Sequence, residues 1–372
     1  MNIQYSLLQV PALAWSLHHQ PRFNLPMNSP LQNLLGSFDL TPDETLALVQ
    51  RAQLLRDGGS LDFAGLVAAL FFLQPSLRTR LSCESAMARY GGSAVAMTPG
   101  VDSWRLAWED GQVMDGEEQE HLRELAPVAS RMAHILGVRN ASRIGGGGSG
   151  ATTYAELAKD EFLNTFATHA TVPVVNLESN RWHPLQGLSD QMTIRDRLGD
   201  ARGQRYVLTW AWHPRALPVA TPHSQLVAAC DLGMDVVILR PDGWQLDGQV
   251  VDGARERARA CGGDLRESSD PAEAFPGAKV VCVKSWGRLD RYGDPELAAL
   301  EEREKSGLRQ DWLLDEPKMS LTEDAFLMHC LPVRRNVVVA DAVLDGPRSA
   351  VVDEAENRLW TAAAVFAELL AR

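Results

Sequence analysis

The sequence predicts an α/β protein made of two successive parallel-sheet units. Short apolar runs alternate with helical stretches twice along the chain, at residues 65–73, 93–97, 134–138 and 172–177, then at 206–212, 235–239, 279–284 and 325–331. Runs this short and this uniformly apolar, separated by helices, suit parallel strands buried on both faces. The 372 residues also exceed what one hydrophobic core usually organises. A polar break at 198–204 separates the two series.

The first ordered element is expected at Thr41-Pro42-Asp43-Glu44, a helix start with Pro in the first helical position and acids in the first turn. Residues 1–38 are rich in Pro, Gln, Asn and His without a period and read as an appended segment. The expected division is therefore 1–38, 39–182, 183–350 and a final segment 351–372. In that segment Leu359, Ala363, Phe366 and Leu370 recur at helical spacing, as a docking helix requires.

Composition narrows the function. Apolar residues make up 45% and charged residues 23%, the balance of a globular chain. A formal net charge of −12 argues against nucleic acid or an anionic membrane as the main partner. An anionic small substrate remains open, provided that cations are gathered locally. The five cysteines (Cys83, Cys230, Cys261, Cys282, Cys330) are widely spaced and form no C-x-x-C pair, so neither a disulfide framework nor a zinc site is expected. No apolar stretch nears the ~20 residues of a membrane span, and no basic start precedes an apolar run, so the chain reads as cytoplasmic.

Strand ends are where such sheets collect ligands, so the residues just after each apolar run are the candidates. After Leu70-Phe71-Phe72-Leu73 comes Gln74-Pro75-Ser76-Leu77-Arg78-Thr79-Arg80, opening a helix. A helix N-terminus offers unpaired N–H groups and a positive dipole end, Ser76 and Thr79 add hydroxyls, and Arg78 and Arg80 add charge-assisted donors. A phosphate dianion suits this set; a capped surface helix with solvated arginines is the plainer alternative.

His183-Pro184-Leu185-Gln186 follows the strand ending in Glu178. Residues three apart share a helix face, so His183 can donate to a developing oxyanion while the Gln186 amide reads a carbonyl or an NH2. Arg139 and Lys284 each close a strand, as cations aimed at the sheet edge or as salt-bridge partners. His329-Cys330-Leu331-Pro332 closes another, with Arg334 and Arg335 just beyond. Adjacent strand residues point to opposite faces, which disfavours activation of Cys330 by His329. Residues 145–150 satisfy G-x-G-x-x-G, but five residues separate them from the preceding strand, so a flexible loop is the simpler reading than a dinucleotide site. A nicotinamide-dependent oxidoreductase built on that loop and a non-catalytic binding protein are the rival classes.

Together Ser76 to Arg80, Arg139, His183 to Gln186, His329 to Pro332 and Glu356-Asn357-Arg358 resemble the aspartate and ornithine carbamoyltransferase family across residues 41–372. Leu77 in place of the family's usual Thr, Asp102-Ser103-Trp104, Val113-Met114-Asp115-Gly116 and Lys284-Ser285-Trp286 are similar to its N-acylornithine branch. The resemblance implies two Rossmann-like domains joined by helices, the first (39–182) for carbamoyl phosphate and the second (183–350) for the acyl-ornithine, with the last helix returning to the first. It implies transfer of a carbamoyl group to N-succinylornithine or N-acetylornithine, no cofactor and no metal, and a homotrimer. Carbamoyl phosphate would be held by Ser76, Leu77, Arg78, Thr79, Arg139, His183, Gln186, Cys330, Leu331 and Arg358, with Trp104 reaching in from a neighbouring subunit. Thr79, Arg139, His183, Gln186 and Cys330 would serve the chemistry. Glu178, Lys284, Cys330, Leu331, Arg334 and Gln119 would contact the acyl-ornithine. The acetyl enzymes resemble this chain over much of its length but carry Glu where Gln119 stands, Asn at Pro218 and Lys at Val338. The succinyl enzymes share Leu217-Pro218 and a non-Lys at 338 but usually have Pro at 119. A neutral Gln119 would not repel a succinyl carboxylate, which favours N-succinylornithine.

Overall fold

A computed structural model describes residues 31–143 and 153–371. The glycine-rich loop at 145–150 and most of the N-terminal extension lie outside the described residues.

The first sheet contains β1 (Val67–Phe72), β2 (Ser93–Met97), β3 (Ile135–Arg139) and β4 (Val174–Glu178), all parallel, in the order β2-β1-β3-β4. The second contains β5 (Arg205–Trp210), β6 (Asp235–Leu239), β7 (Asp264–Ser268), β8 (Ala278–Lys284) and β9 (Phe326–Met328), also parallel, in the order β9-β8-β5-β6-β7. The predicted class is thus observed, with each expected apolar run supplying one strand. Within these two sheets one strand, β7, escaped the sequence reading. Its segment Asp-Leu-Arg-Glu-Ser lies at a sheet edge with Leu265 as its one buried residue, so it carries no apolar run.

Helices cover both faces of each sheet. On one face of the first lie α1 (Pro42–Arg56), α2 (Leu77–Arg89) and α5 (Pro184–Leu198); on the other lie α3 (Leu122–Met132) and α4 (Glu161–His169). The second sheet packs against α6 (Ala220–Asp231) and α7 (Gly248–Ala260) on one side, and α8 (Pro295–Glu304) follows β8. The start of α1 has the full capping box: the Glu44 N–H donates to Thr41 Oγ1 at 3.3 Å and the Thr41 N–H to Glu44 Oε2 at 2.9 Å. Order nevertheless begins before Thr41. The Leu34 N–H donates to the Val174 carbonyl and the Leu34 carbonyl accepts from Asn176, which adds a bridge to the edge of β4 and buries Leu34 in the first core.

Two helices join the units. In α5, Leu185, Leu188 and Met192 pack in the first core and Ile194 in the second. Its crossing with α6 is close: a Cβ on Gly187 would meet the Ser224 carbonyl oxygen at 2.9 Å, so the smallest residue is needed there. The last helix, α9 (Val351–Leu370), returns to the first unit and packs on α1, α2 and α5. Of the expected stripe, Ala363 and Phe366 are fully buried and Leu359 and Leu370 partly so. Burial also takes in Trp360, Thr361, Ala362, Ala364 and Val365, because the helix is enclosed from several sides.

Phe366 sits at the centre of this return packing. Phe366→Ala is expected to destabilise the protein by about 3–5 kcal/mol, measured as a fall in the urea midpoint; an unchanged midpoint would show that the helix adds little to the first core.

Candidate active site

Strand order locates the site. The chain runs β1 to β2 in one direction, then places β3 on the opposite side of β1; in the second sheet β8 likewise lies opposite β6 across β5. At such reversals the loops leaving neighbouring strands diverge and open a crevice at the carboxyl edge. The segment before α2 leaves β1, Arg139 ends β3 and Lys284 ends β8, so both reversals deliver cations. The two edges face one cleft of about 570 Å³.

Lining that cleft are Ser76, Leu77, Arg78, Thr79, Arg80, Arg139, Glu178, His183, Gln186, Lys284, Cys330, Leu331 and Arg358. The structure therefore brings together most of the residues singled out from the sequence. Trp104, Gln119 and Arg334 do not line it within one chain: Trp104 is 60% exposed, and the other two lie on the surface. Five cations (Arg78, Arg80, Arg139, Lys284, Arg358) stand against one carboxylate, Glu178. That is the local positive field that an acidic chain needs in order to hold an anion.

Ser76 is the N-cap of α2, and its side chain makes no cap bond. Thr79 is fully buried one turn in, and its hydroxyl accepts from Arg358 Nη2 at 2.5 Å. A residue of the last helix thus reaches the first turn of α2, 279 positions away. Burial lowers the pKa of both Arg78 and Arg358 from the ordinary guanidinium value. Arg80 is partly engaged, donating from Nε to Glu84 at 2.9 Å on the exposed side of α2. Gln74 ties the cradle to the exit of β3, accepting from the Ala141 N–H at 2.7 Å and donating to Asn140 at 3.3 Å.

Arg139 forms an ion pair with Glu178, and Glu178 lies 3.7 Å from His183 Nε2. The salt-bridge reading of Arg139 is thus correct and compatible with a place in the cleft. His183 is set by the turn between β4 and α5, where the Trp182 N–H donates to Ser179 Oγ at 3.1 Å and the His183 N–H to Ser224 Oγ at 2.8 Å. Gln186 is fully buried, its Nε2 donating to Asp190 at 2.7 Å and to Glu354 at 2.9 Å. Glu354 also accepts from the His329 N–H at 2.8 Å.

Leu331 adopts φ +50, a region that non-glycine residues seldom occupy outside constrained sites. Its N–H donates to His329 Nδ1 at 2.8 Å, so the imidazole is turned to the backbone rather than to the thiol of Cys330. Burial pushes the Cys330 thiol above its ordinary pKa. Both observations speak against activation of Cys330 by His329.

Sequence reasoning missed Asp190 and Glu354. Asp190 stands four residues after Gln186, and Glu354 four before Arg358, the spacing of one helix face, and that spacing was the available signal. Among the described residues there is no group of three or more His, Cys, Asp or Glu able to hold a metal, and no helix is long and apolar enough to cross a membrane.

Family models agree with this geometry. The carbamoyl-phosphate-binding domain of aspartate/ornithine carbamoyltransferase matches residues 32–196, and the Asp/Orn-binding domain matches residues 219–369. The chain belongs to the aspartate/ornithine carbamoyltransferase family. It is 38% identical over 344 residues to the N-acetylornithine carbamoyltransferase of Xanthomonas campestris pv. campestris, covering 91% of this chain and 98% of the relative. It is 34% identical over 303 residues to the N-succinylornithine carbamoyltransferase of Bacteroides fragilis, covering 81% and 86%. The ornithine carbamoyltransferase of Pyrococcus abyssi is 31% identical over 344 residues, covering 91% and 96%. An acetylornithine transcarbamylase complexed with acetylcitrulline superposes with a TM-score of 0.83 at 37% identity, covering 91% of this chain and 99% of that one. These relatives place the carbamoyltransferase in the N-acylornithine branch of its family.

Burial, reinforced by Arg358, Arg139 and Lys284, holds the His183 imidazole well below its ordinary pKa. Unfolded His183 takes up a proton as the pH falls through about 6.5 while folded His183 does not, so acid favours the unfolded chain. Relative to His183→Gln, which does not titrate, the unmodified protein is expected to lose up to about 1.4 kcal/mol per pH unit below that point. Urea unfolding of both proteins at pH 7.5 and 5.5 measures this; a constant difference would contradict a buried neutral imidazole.

Proposed function

We propose that the protein transfers the carbamoyl group of carbamoyl phosphate to the side-chain amine of an N-acylated ornithine, N-succinyl-L-ornithine in preference to N-acetyl-L-ornithine. The observation that carries the reading is the cationic crevice in which the α2 N-terminus, Arg139 and Arg358 face Lys284 and the Cys330-Leu331 turn. The amine nitrogen forms a bond to the carbamoyl carbon, the bond from that carbon to the phosphate oxygen breaks, and an amine proton leaves with phosphate. N-acylcitrulline and phosphate result, a step suited to arginine biosynthesis in the cytoplasm.

In this reading Ser76, the Leu77 N–H, Arg78, Thr79 and Arg358 hold the phosphate. Arg139, His183 and Thr79 polarise the carbamoyl oxygen, and Gln186 holds its nitrogen. A neutral His183 suits the task, because it donates one N–H without adding a charge that would demand neutralisation. The Cys330 and Leu331 backbone orients the amine, while Glu178 and Lys284 take the amino-acid end. Preorganised donors and proximity supply the acceleration, and no side-chain nucleophile is needed.

The remaining residues enter through assembly as a homotrimer. Leu77, Leu81, Val95, Val101, Trp104 and Val113 are exposed apolar side chains of the first unit, which supports a partner on it that brings Trp104 and Gln119 to a neighbour's cleft. Arg334, whose Nε lies 3.0 Å from His213, adds positive charge on the Lys284 side for an acyl carboxylate. Succinyl preference rests on that charge and on Gln119, which stands where the acetyl enzymes carry Glu. Solved variants of N-acetyl-L-ornithine transcarbamylase with a glutamate replaced by Ala, Ser or Val are complexed with carbamyl phosphate and N-succinyl-L-norvaline, in keeping with this view. The acetyl reading is favoured by the higher identity to the Xanthomonas enzyme.

Phosphate release from carbamoyl phosphate with N-succinylornithine, N-acetylornithine and ornithine offered separately is expected to be fastest with the first. Preference for the acetyl compound would reverse the acyl assignment, and turnover of ornithine alone would sink the branch assignment. Arg78→Ala is expected to lower kcat/KM for carbamoyl phosphate by roughly 10²–10³-fold, and retention of activity would defeat the phosphate role.

A further inference from the structure

Gln186 is reached by two carboxyl groups that the proposed chemistry leaves unused. Its Nε2 contacts Asp190 Oδ1 on the same helix and Glu354 Oε1 on the last helix, at 2.7 and 2.9 Å. Its Oε1 is buried, lacks a protein hydrogen-bond partner and belongs to a side chain lining the cleft. All three residues are fully buried. An amide has one donor end and one acceptor end, whereas a carboxylate only accepts. Reversing the amide would set its oxygen against both carboxyls and leave the NH2 without them, at a substantial cost in a dry environment.

Two carboxyls this close in the interior do not both ionise. Burial, followed by Asp190, pushes the Glu354 carboxyl well above its ordinary pKa. One proton held between them leaves each carboxyl an oxygen with which to accept from Gln186. Glu354 has a second duty, since its Oε2 accepts from the His329 N–H at 2.8 Å at the start of the Cys330-Leu331 turn.

We propose that Asp190 and Glu354 are positioning residues that lock the Gln186 amide with its carbonyl oxygen toward the cleft, so that the site selects a donor bearing N–H on the transferred carbon. This rests on the carbamoyl-transfer reading and deepens it. An acyl phosphate with a methyl group in place of NH2 would fill the same space and leave the Gln186 oxygen unpaired. Discrimination against it is set by the orientation of one amide, which α5 alone does not fix.

The probe is acetyl phosphate, used as a competitor of carbamoyl phosphate in the full-length enzyme. The reported quantity is the ratio of its inhibition constant to the KM for carbamoyl phosphate. Asp190→Leu frees the amide and is expected to lower this ratio by roughly tenfold, the worth of one hydrogen bond. Asp190→Asn can still accept from Gln186 and place its own NH2 where the shared proton lay; it is expected to retain the ratio within about threefold. If Asp190→Leu does not fold, Glu354→Gln serves. Its amide has one acceptor oxygen for two donors, the Gln186 NH2 and the His329 N–H, and the ratio should fall below that of Asp190→Asn. Equal weakening of both ligands in either disruptive variant, or an unchanged ratio, would overturn the proposal while leaving carbamoyl transfer intact. Absence of carbamoyl transfer in the unmodified enzyme would instead defeat the proposed function.

Discussion

Concentrated positive charge in a half-enclosed cleft is the constraint on which this structure depends. Arg78, Arg139, Lys284 and Arg358 repel one another, and taking them out of water is costly without compensation. Glu178 offsets Arg139 by direct pairing. Thr79 takes a hydrogen bond from Arg358. The remaining field is uncompensated within the chain and suits an anionic ligand, even though the net charge of the whole chain is −12.

That arrangement makes the two sheets interdependent. The cradle and Arg139 come from the first reversal of strand order, Lys284 from the second, and Arg358 from a helix that has already traversed the second unit. Helices α5 and α9 carry this dependence. Gln186 and Asp190 sit on one, Glu354 and Arg358 on the other, and Gln186 meets Glu354 directly across the two helices. Packing of α9 in the first core thus does two things at once, closing the fold and delivering a guanidinium and a carboxyl to the site.

The cost of this economy is buried polar density. Gln186, Asp190, Glu354, His329, Thr79 and Arg358 all lie in the interior. Such networks tolerate little error, because each unmet group loses its solvation without return. The left-handed backbone of Leu331 belongs to the same region and is held by the His329 side chain below it.

Most of the fold was legible in the chain, since buried parallel strands must be short and apolar, and every strand of that kind was found. The cradle at Ser76 to Arg80, the strand-end cations and His183 to Gln186 were legible for a related reason: helix starts and strand ends place side chains by local geometry alone. Strand β7 was not, because an edge strand with one buried residue leaves no apolar signature. Nor were Asp190 and Glu354, whose role depends on a contact between two helices far apart in the chain. What the sequence by itself determined was the inventory of local devices and the family they resemble. Tertiary structure alone decided that Arg358 reaches Thr79, that Gln186 has one permitted orientation, and that Trp104, Gln119 and Arg334 stand outside the cleft of a single chain. Local backbone geometry is written in neighbouring residues, whereas charge compensation and hydrogen-bond direction are settled only when distant segments are packed together.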